Sequence, residues 1–259
     1  MSIVLTQLRD DIGTIIMNNP QQLNVLSSKM VDDMLQALEV LKKEGARAII
    51  LRAYEGAKVW SSGHDINELP VSGRDPLPYD DPLVTILRSI QASPLPVIAM
   101  IEGDVWGGAC DLALSCDILI GSPTASLTMT PAKIGVPYNA SGILHFIGIM
   151  GVNIAKEMFF SARPLSAERA EKLGILNHMV PAHELENFTN ELAGSIAKNS
   201  PLSIKVIKEQ ICLLAGAHPL SPHTFERVQG LRRLVYDSAD YAEGISAFLG
   251  KRPPVFRGT

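Results

Sequence analysis

The segment Val97–Ile120, VIAMIEGDVWGGACDLALSCDILI, decides the fold class. Its two ends, Val97–Ile101 and Ile118–Ile120, are uninterrupted apolar runs of the kind that form strands buried on both faces. Between them, Gly107-Gly108 precedes a stretch that predicts a helix toward Leu114. Strand, helix and strand in succession are typical of an α/β domain with parallel strands.

The same alternation extends toward the N-terminus. Ile12–Met17 predicts a strand that stops before Pro20, and Ala48–Leu51 predicts another buried strand. Between them, apolar residues recur every three or four positions from about Ser28, which predicts an amphipathic helix. Four such turns of strand and helix favour one continuous α/β domain over two. From about Gly142 onward, the pattern is almost wholly helical.

The second half predicts three long helices over Glu184–Lys198, Leu202–Leu214 and Thr224–Gly250, and we expect their apolar stripes to pack in the core. One segment fits neither periodicity. Pro70–Pro82, PVSGRDPLPYDDP, contains four prolines and predicts an ordered loop. A plain surface loop and a lid over a ligand are both compatible with this composition.

Composition excludes several functional classes. With 46% hydrophobic and 19% charged residues in 259, the chain is not of the disordered class. A net charge of −4 without a basic run disfavours nucleic-acid partners and a membrane-anchoring patch. Three cysteines without CxxC or Cys/His spacing predict no metal site and a reducing compartment. We find neither a signal-peptide pattern nor an uninterrupted spanning run, and expect a cytoplasmic protein.

Two glycine-bearing spots could carry chemistry. Ser61–Ile66 and Trp106–Asp111 each follow a predicted strand and open a predicted helical turn, where backbone N–H groups lack intrahelical partners. Brought face to face, they would form an oxyanion hole from main chain alone. Each signal is weak by itself, because a Gly-Gly pair before a helix is usually a tight turn and a loop histidine is usually solvated.

Together, these motifs carry a resemblance. Asn19-Pro20, the segment Asn24–Leu26, SSGHDINEL at 61–69 and IEGDVWGGACDLALSCD at 101–117 resemble the crotonase (enoyl-CoA hydratase/isomerase) superfamily over essentially the whole chain. The resemblance implies a crotonase-type spiral of ββα turns over residues 1–195. It also implies a helical C-terminal trimerisation region over 196–259, within the same unit. It further implies an acyl-CoA thioester substrate, with the N–H groups of His64 and Gly108 binding the thioester oxygen.

The type of crotonase depends on two positions. Hydratases of this superfamily use two glutamates, and at those positions the chain has Asp111 and Pro131. A proline is neither acid nor base, which disfavours water addition by two carboxylates. Segments 62–70, 72–83, 105–109, 129–139 and 225–252 resemble instead a subgroup that decarboxylates methylmalonyl-CoA to propionyl-CoA and CO₂ without biotin or metal.

That resemblance implies a set of site residues. The catalytic residues are His64, Gly108 and Tyr138, with Tyr138 as a candidate proton donor to the enolate carbon. His64 and Tyr138 are also expected to contact the substrate carboxylate. The residues expected to bind CoA and the acyl group are Val25, Ser62, Gly63, His64, Asp65, Ile66, Gly108, Thr130 and Lys251. Lys251, on the predicted C-terminal helix, is expected to meet a CoA phosphate, with a plain helix-terminal cation as the alternative.

Three functional hypotheses remain open on sequence alone. The first is a decarboxylase acting on methylmalonyl-CoA, or on a close relative such as malonyl- or ethylmalonyl-CoA. The second is an enoyl-CoA hydratase/isomerase with Asp111 as its acid/base. The third is a non-catalytic acyl-CoA- or RNA-binding member of the superfamily. Self-association as a trimer or as a dimer of trimers is expected in each case.

Overall fold

A computed structural model describes residues 2–70, 73–215 and 221–258 of the chain. The strands are β1 (Val4–Arg9), β2 (Ile12–Met17), β3 (Ala48–Ala53), β4 (Val59–Ser61), β5 (Val97–Ile101), β6 (Asp104–Trp106), β7 (Ile118–Gly121), β8 (Ser126–Thr128), β9 (Leu165–Ser166) and β10 (His178–Met179). The helices are α1 (Ser28–Lys43), α2 (Pro82–Ala92), α3 (Gly108–Leu114), α4 (Ala140–Ser161), α5 (Ala167–Lys172), α6 (Ala182–Ala197), α7 (Pro201–Ala215), α8 (Pro222–Tyr236) and α9 (Ala239–Leu249).

The strands form two sheets. The larger has the order β1-β2-β3-β5-β7-β10, in which β1 is antiparallel to β2 and the other pairings are parallel. The smaller has the order β4-β6-β8-β9, with β9 as its antiparallel edge. Along the chain, one strand of each sheet and then a helix recur as β3-β4-α2, β5-β6-α3 and β7-β8-α4. The predicted spiral of ββα turns is therefore confirmed.

The larger sheet is buried on both faces. Every residue of β5 is buried, which explains its uninterrupted apolar sequence. One face joins a core with Met34 of α1, Ile86 of α2 and Phe146 of α4. The other face packs against Leu185 and Ala193 of α6. This arrangement places the ends of β4 and β6, and the loops that follow them, beside α2 and α3.

Two predictions need correction. The expected single stretch Thr224–Gly250 is two helices, α8 and α9, and the side chain of Ser238 caps the second by accepting from the Tyr241 amide. The stripe on α7 was expected to be core, yet Ile207, Ile211 and Leu214 are 53%, 61% and 78% exposed. The spacing of apolar residues identifies which face of a helix must be buried, but it does not identify the surface that buries it.

Strand β1 gave no usable signal in the sequence. Only Val4 of its six residues is buried, so the alternation that marks a strand is missing. Its pairing with β2, from Val4 opposite Met17 to Arg9 opposite Ile12, supplies the stability instead.

Helix α4 is long and apolar enough to cross a membrane by length and composition, with a mean hydropathy of 1.4. It is interrupted at Gly151, whose φ is 74°, and its buried residues include Phe146 and Met158. Core helices of globular proteins pass the same test, so this feature is weak evidence for a membrane span.

Helix α7 is attached to the spiral through a buried lysine. The Nζ of Lys208 donates to the carbonyls of Ile90 and Leu95 at 3.0 and 3.1 Å and lies 2.7 Å from Asp117 Oδ2. Because so much of the apolar stripe of α7 is exposed, this polar contact is a main link between the helix and the rest of the chain.

We therefore expect Lys208→Met to lower the free energy of unfolding by about 2–3 kcal/mol, because Asp117 loses its cation and two carbonyls lose a donor. Urea unfolding followed by circular dichroism measures the change. Lys205→Met, on an exposed part of the same helix, is the control and should stay within about 0.5 kcal/mol of the parent. Equal effects of the two substitutions would show that the contact adds no stability.

Candidate active site

A small cavity of about 60 Å³ lies where the two glycine-bearing loops meet. Six of the predicted site residues line it, namely Ser62, His64, Ile66, Gly108, Thr130 and Tyr138. Leu69, Leu77 and Leu83 supply much of the remaining wall. A larger groove of about 970 Å³ lies beside β1 and α6 and contains no predicted site residue. The chemistry-bearing residues therefore converge on the small apolar cavity.

The two loops approach each other backbone to backbone. Gly63 has a φ of 86°, and a Cβ on it would lie 2.4 Å from the Trp106 carbonyl oxygen and 3.0 Å from the Gly108 nitrogen. No side chain fits there, and the backbone angle itself favours glycine. The segment Leu23–Leu26 supports the first loop from behind, because Ser62 N donates to Leu23 O and Leu26 N donates to Gly63 O.

Two backbone amides face this cavity without a partner. Within the described residues, neither the His64 N–H nor the Gly108 N–H donates a hydrogen bond. A Cβ on Gly108 would lie 3.4 Å from the His64 nitrogen, so the two amides are close neighbours. Gly108 also begins α3, where first-turn amides are unpaired and the helix dipole favours negative charge. The pair has the chemistry of a site for one anionic oxygen.

The His64 ring is fixed at both nitrogens. Nδ1 lies 2.9 Å from the Asp65 carbonyl oxygen and Nε2 lies 3.0 Å from Asp81 Oδ2. Both partners are acceptors, so both ring nitrogens donate, which is the hydrogen-bonding pattern of an imidazolium. Burial alone would lower the pKa of His64, but the hydrogen bond and charge of Asp81 outweigh it, and the pKa is raised.

Asp81 was not among the predicted site residues. It lies at the end of the Pro70–Pro82 loop, where its Oδ1 accepts from the amides of Leu83 and Val84 and caps α2. An aspartate directly before a helix-opening proline is a recognisable capping signal. The contact with His64, 17 positions away, leaves no such mark in the sequence.

The remainder of that loop is partly described, since residues 71 and 72 lie outside the described ranges. Arg232 of α8 donates from Nη1 to Asp75 Oδ2 at 2.8 Å, and the Gly73 amide donates to the Tyr236 carbonyl. Leu77 lines the cavity, so this loop forms part of the cavity wall. Its two contacts with α8 attach it to the C-terminal helices.

A second carboxylate lies behind the cavity. The Tyr138 hydroxyl donates to Asp111 Oδ2 at 2.8 Å, and His145 Nδ1 lies 2.7 Å from Asp111 Oδ1. Burial first, and then the charge of Asp111, raise the pKa of Tyr138 well above its ordinary value, so Tyr138 stays a neutral phenol. His145 was missed by sequence reasoning, because nothing marks a contact across 34 positions.

The placement of Asp111 bears on the hydratase alternative. Its side chain is only 2% exposed, it does not line the cavity, and both of its oxygens are engaged. Pro131 does line the cavity, so the position expected for a second carboxylate presents an apolar ring. Among the described residues of the cavity wall there is no aspartate or glutamate.

The other predicted residues lie around or away from the cavity. Val25 is on the segment that supports the Gly63 loop, and Asp65 caps the short helical turn Ile66–Glu68 by accepting from Asn67 N. Lys251 was expected on the C-terminal helix, but α9 ends at Leu249, so this exposed lysine follows the helix, and it is not among the residues that line the cavity. Within the described ranges, no group of three His, Cys, Asp or Glu side chains is arranged to hold a metal ion.

Comparison with known proteins gives a consistent result. The family model for enoyl-CoA hydratase/isomerase matches residues 7–259. Methylmalonyl-CoA decarboxylase of Escherichia coli K12 is 50% identical over 247 residues, covering 95% of each chain. A putative enoyl-CoA hydratase of Thermus thermophilus is 29% identical, covering 95% of this chain and 97% of that one.

A solved structure of methylmalonyl-CoA decarboxylase in complex with 2-nitronate-propionyl-CoA superimposes with a TM-score of 0.97 at 48% identity. The match covers 100% of this chain and 99% of that chain. The similarity therefore extends over the cavity as well as over the scaffold.

The contact between Asp81 and His64 predicts a measurable titration. In Asp81→Asn, which keeps an oxygen to cap α2, we expect the pKa of His64 to fall, because the two largest influences that raise it, the hydrogen bond and the negative charge of Asp81, are removed. NMR titration of the His64 ring measures the change. Asp80→Asn alters the exposed neighbouring carboxylate and should leave the titration where it was.

The same pair predicts a pH dependence of stability. A raised pKa contributes stability that is fully present below the unfolded-state pKa and is lost as the pH rises through the folded-state value. The difference in unfolding free energy between the parent and Asp81→Asn should therefore shrink over the range above about pH 6.5, as the pH rises through the raised pKa of His64. A difference that grows over this range would refute the assignment of an imidazolium.

Proposed function

The chain belongs to the enoyl-CoA hydratase/isomerase family, and on that premise we propose that it decarboxylates methylmalonyl-CoA to propionyl-CoA and CO₂. One observation carries the proposal: two unpartnered amides, of His64 and Gly108, face an apolar cavity whose described wall contains no carboxylate. The 50% identity to a methylmalonyl-CoA decarboxylase over 95% of both chains supports it.

The proposed reaction needs a place for one negative charge. As the bond between the carboxylate carbon and the α-carbon breaks, its electron pair forms the enolate and the charge moves to the thioester oxygen. Amides aimed at that oxygen bind the enolate more strongly than the neutral carbonyl, which is the condition for rate acceleration. The His64 and Gly108 amides fill this role, and each such donor contributes about 3–4 kcal/mol.

The remaining steps concern the carboxylate and a proton. We assign Tyr138 to contact the departing carboxylate in the apolar part of the cavity, with the charge of the His64 ring nearby. After CO₂ leaves, the α-carbon takes one proton from a water beside Tyr138, which gives propionyl-CoA. The reaction balances with the thioester, the chain and one proton from water, so no biotin or metal is called for.

Binding of the CoA portion follows the resemblance. Ser62, Ile66 and Thr130 line the cavity and are assigned to the thioester end, with Val25, Gly63 and Asp65 on the supporting backbone. Lys251 is assigned to a CoA phosphate, either in its own subunit or in a neighbouring one. The division into a spiral core over 1–195 and a helical region over 196–259 stays a prediction, as does the cytoplasmic location.

Self-association is part of the proposal. Helices α7 and α8 expose apolar side chains that a single chain leaves in water, including Leu202, Ile211, Leu214, Leu231 and Leu234. Exposed apolar side chains concentrated on two helices are typical of an interface. We assign this surface to contacts between copies of the chain, as a trimer or a dimer of trimers.

The deciding assay offers methylmalonyl-CoA, malonyl-CoA and crotonyl-CoA separately to the purified protein and separates the products by chromatography. We expect propionyl-CoA from methylmalonyl-CoA and no change in crotonyl-CoA. Hydration of crotonyl-CoA, with methylmalonyl-CoA left intact, would overturn the proposal in favour of the hydratase.

A substitution tests the backbone contact. Gly63→Ala places a methyl group against the Trp106 carbonyl and should separate the two loops, lowering kcat/KM by about 100-fold or more. Gly56→Ala is the matched control, because Gly56 has a similar φ of 75° but nothing within 4 Å of an added Cβ. Similar losses in both variants would attribute the effect to backbone strain and not to the site.

Leu234→Glu tests the surface. We expect light scattering to give a mass of three or six chains for the parent protein. We expect a smaller mass for this variant, because assembly would bury the introduced carboxylate without a partner. Leu8→Glu, at a 39% exposed leucine on β1, should keep the parent mass. An unchanged mass for Leu234→Glu would place the interface elsewhere.

A further inference from the structure

The two carboxylate oxygens of Asp111 each contact a different side chain. Tyr138 reaches one oxygen at 2.8 Å and His145 reaches the other at 2.7 Å. An ionised carboxylate only accepts, so Tyr138 donates its hydroxyl proton and His145 donates from Nδ1. Asp111 is 2% exposed and His145 is 22% exposed, so the histidine is the member of this network nearest to solvent.

The direction of the Tyr138 hydroxyl follows from this network. A phenol has one proton to donate, and here Asp111 receives it. The side of the oxygen that faces the cavity therefore offers lone pairs. A carboxylate held against lone pairs gains no hydrogen bond, whereas the uncharged CO₂ that it becomes needs none.

The ring of Tyr138 is itself held in place. It packs edge-on against Phe146 and Phe159, with centroid distances of 6.2 and 5.3 Å. A Cβ on Gly142 would lie 2.3 Å from Tyr138 Cε1, so the start of α4 is in direct contact with the ring. Only rotation of the hydroxyl proton remains free, and Asp111 is the group that sets it.

His145 determines whether Asp111 can hold the Tyr138 hydroxyl in this direction. A carboxylate keeps one orientation where donors hold both of its oxygens, as Tyr138 and His145 do here. Without His145, the described partner of Asp111 is the Tyr138 hydroxyl alone, and nothing else holds the second oxygen. The carboxylate can then turn away, which releases the Tyr138 hydroxyl to turn toward the substrate.

We propose that His145 is a positioning residue for the decarboxylation: through Asp111, it keeps the Tyr138 hydroxyl from donating a hydrogen bond to the substrate carboxylate. The inference rests on the proposed function for its reaction. It gives Asp111 a role other than that of an acid or base.

Steady-state kinetics on methylmalonyl-CoA test the proposal. In His145→Leu, we expect kcat to fall about 10- to 100-fold, the effect of losing one hydrogen bond to a charged group, while KM is unchanged or lower. Lower KM with lower kcat is the signature of a substrate that is bound too stably in its ground state. His145→Asn, which keeps an N–H near the position of Nδ1, should restore most of the rate.

A double-mutant cycle separates positioning from a structural role. In a Tyr138→Phe background, His145→Leu should change kcat little further, because the group through which it acts is gone. An equal loss in both backgrounds, a rise in KM at constant kcat, or no rescue by His145→Asn would each overturn the proposal. His183→Leu, at an exposed histidine beside Glu184, is the control and should keep the parent kinetics.

A spectroscopic measurement tests the network without any turnover. In protein labelled with ¹⁵N-histidine, Asp111→Asn and Tyr138→Phe should both shift the Nδ1 resonance of His145. An Nδ1 resonance that neither substitution shifts would show that the three side chains are not connected. If the network is present but methylmalonyl-CoA is not decarboxylated, the proposed function fails and not the connection between the three side chains.

Discussion

The close approach of two glycine-bearing loops is the constraint on which the site depends. Because Gly63 lies against the Trp106 carbonyl and the Gly108 amide, the loops after β4 and β6 can be neighbours only if no side chain stands between them. The parallel pairing of those strands brings the loops to the same edge of the smaller sheet. Backbone amides that would otherwise be separated thus point into one cavity, where they hydrogen-bond to nothing else among the described residues.

Two buried carboxylates then define the electrostatics around this backbone site. Asp81 holds His64 at 3.0 Å and fixes the first loop from the side of α2. Asp111 holds Tyr138 at 2.8 Å from the side of α3. Neither belongs to the described wall of the cavity. The two carboxylates therefore act on the groups that contact the substrate and do not contact the substrate themselves. This division suits a reaction in which a charge must be expelled from one end of the substrate and received at the other.

The sequence predicted the scaffold and the backbone part of the site, because both leave local signals. Val97–Ile101 is read correctly to the residue, since a strand buried on both faces must be apolar throughout. Asp81 and His145 were not predicted as site residues, because their contacts span 17 and 34 positions and depend on how the spiral closes. Strand β1 was missed for a different reason, since its pairing is made by backbone groups and its side chains are mostly exposed.

The attachment of α7 through Lys208 has a consequence for the order of folding and assembly. A helix whose apolar stripe is not covered by its own subunit would ordinarily be partly unfolded before assembly. Here the bonds from Lys208 to the Ile90 and Leu95 carbonyls and to Asp117 hold the helix against its own subunit beforehand. In the proposed trimer or dimer of trimers, such a subunit would meet its neighbours with α7 already ordered and with little ordering entropy left to lose. Its assembly would then be governed by concentration and encounter instead of by coupled folding.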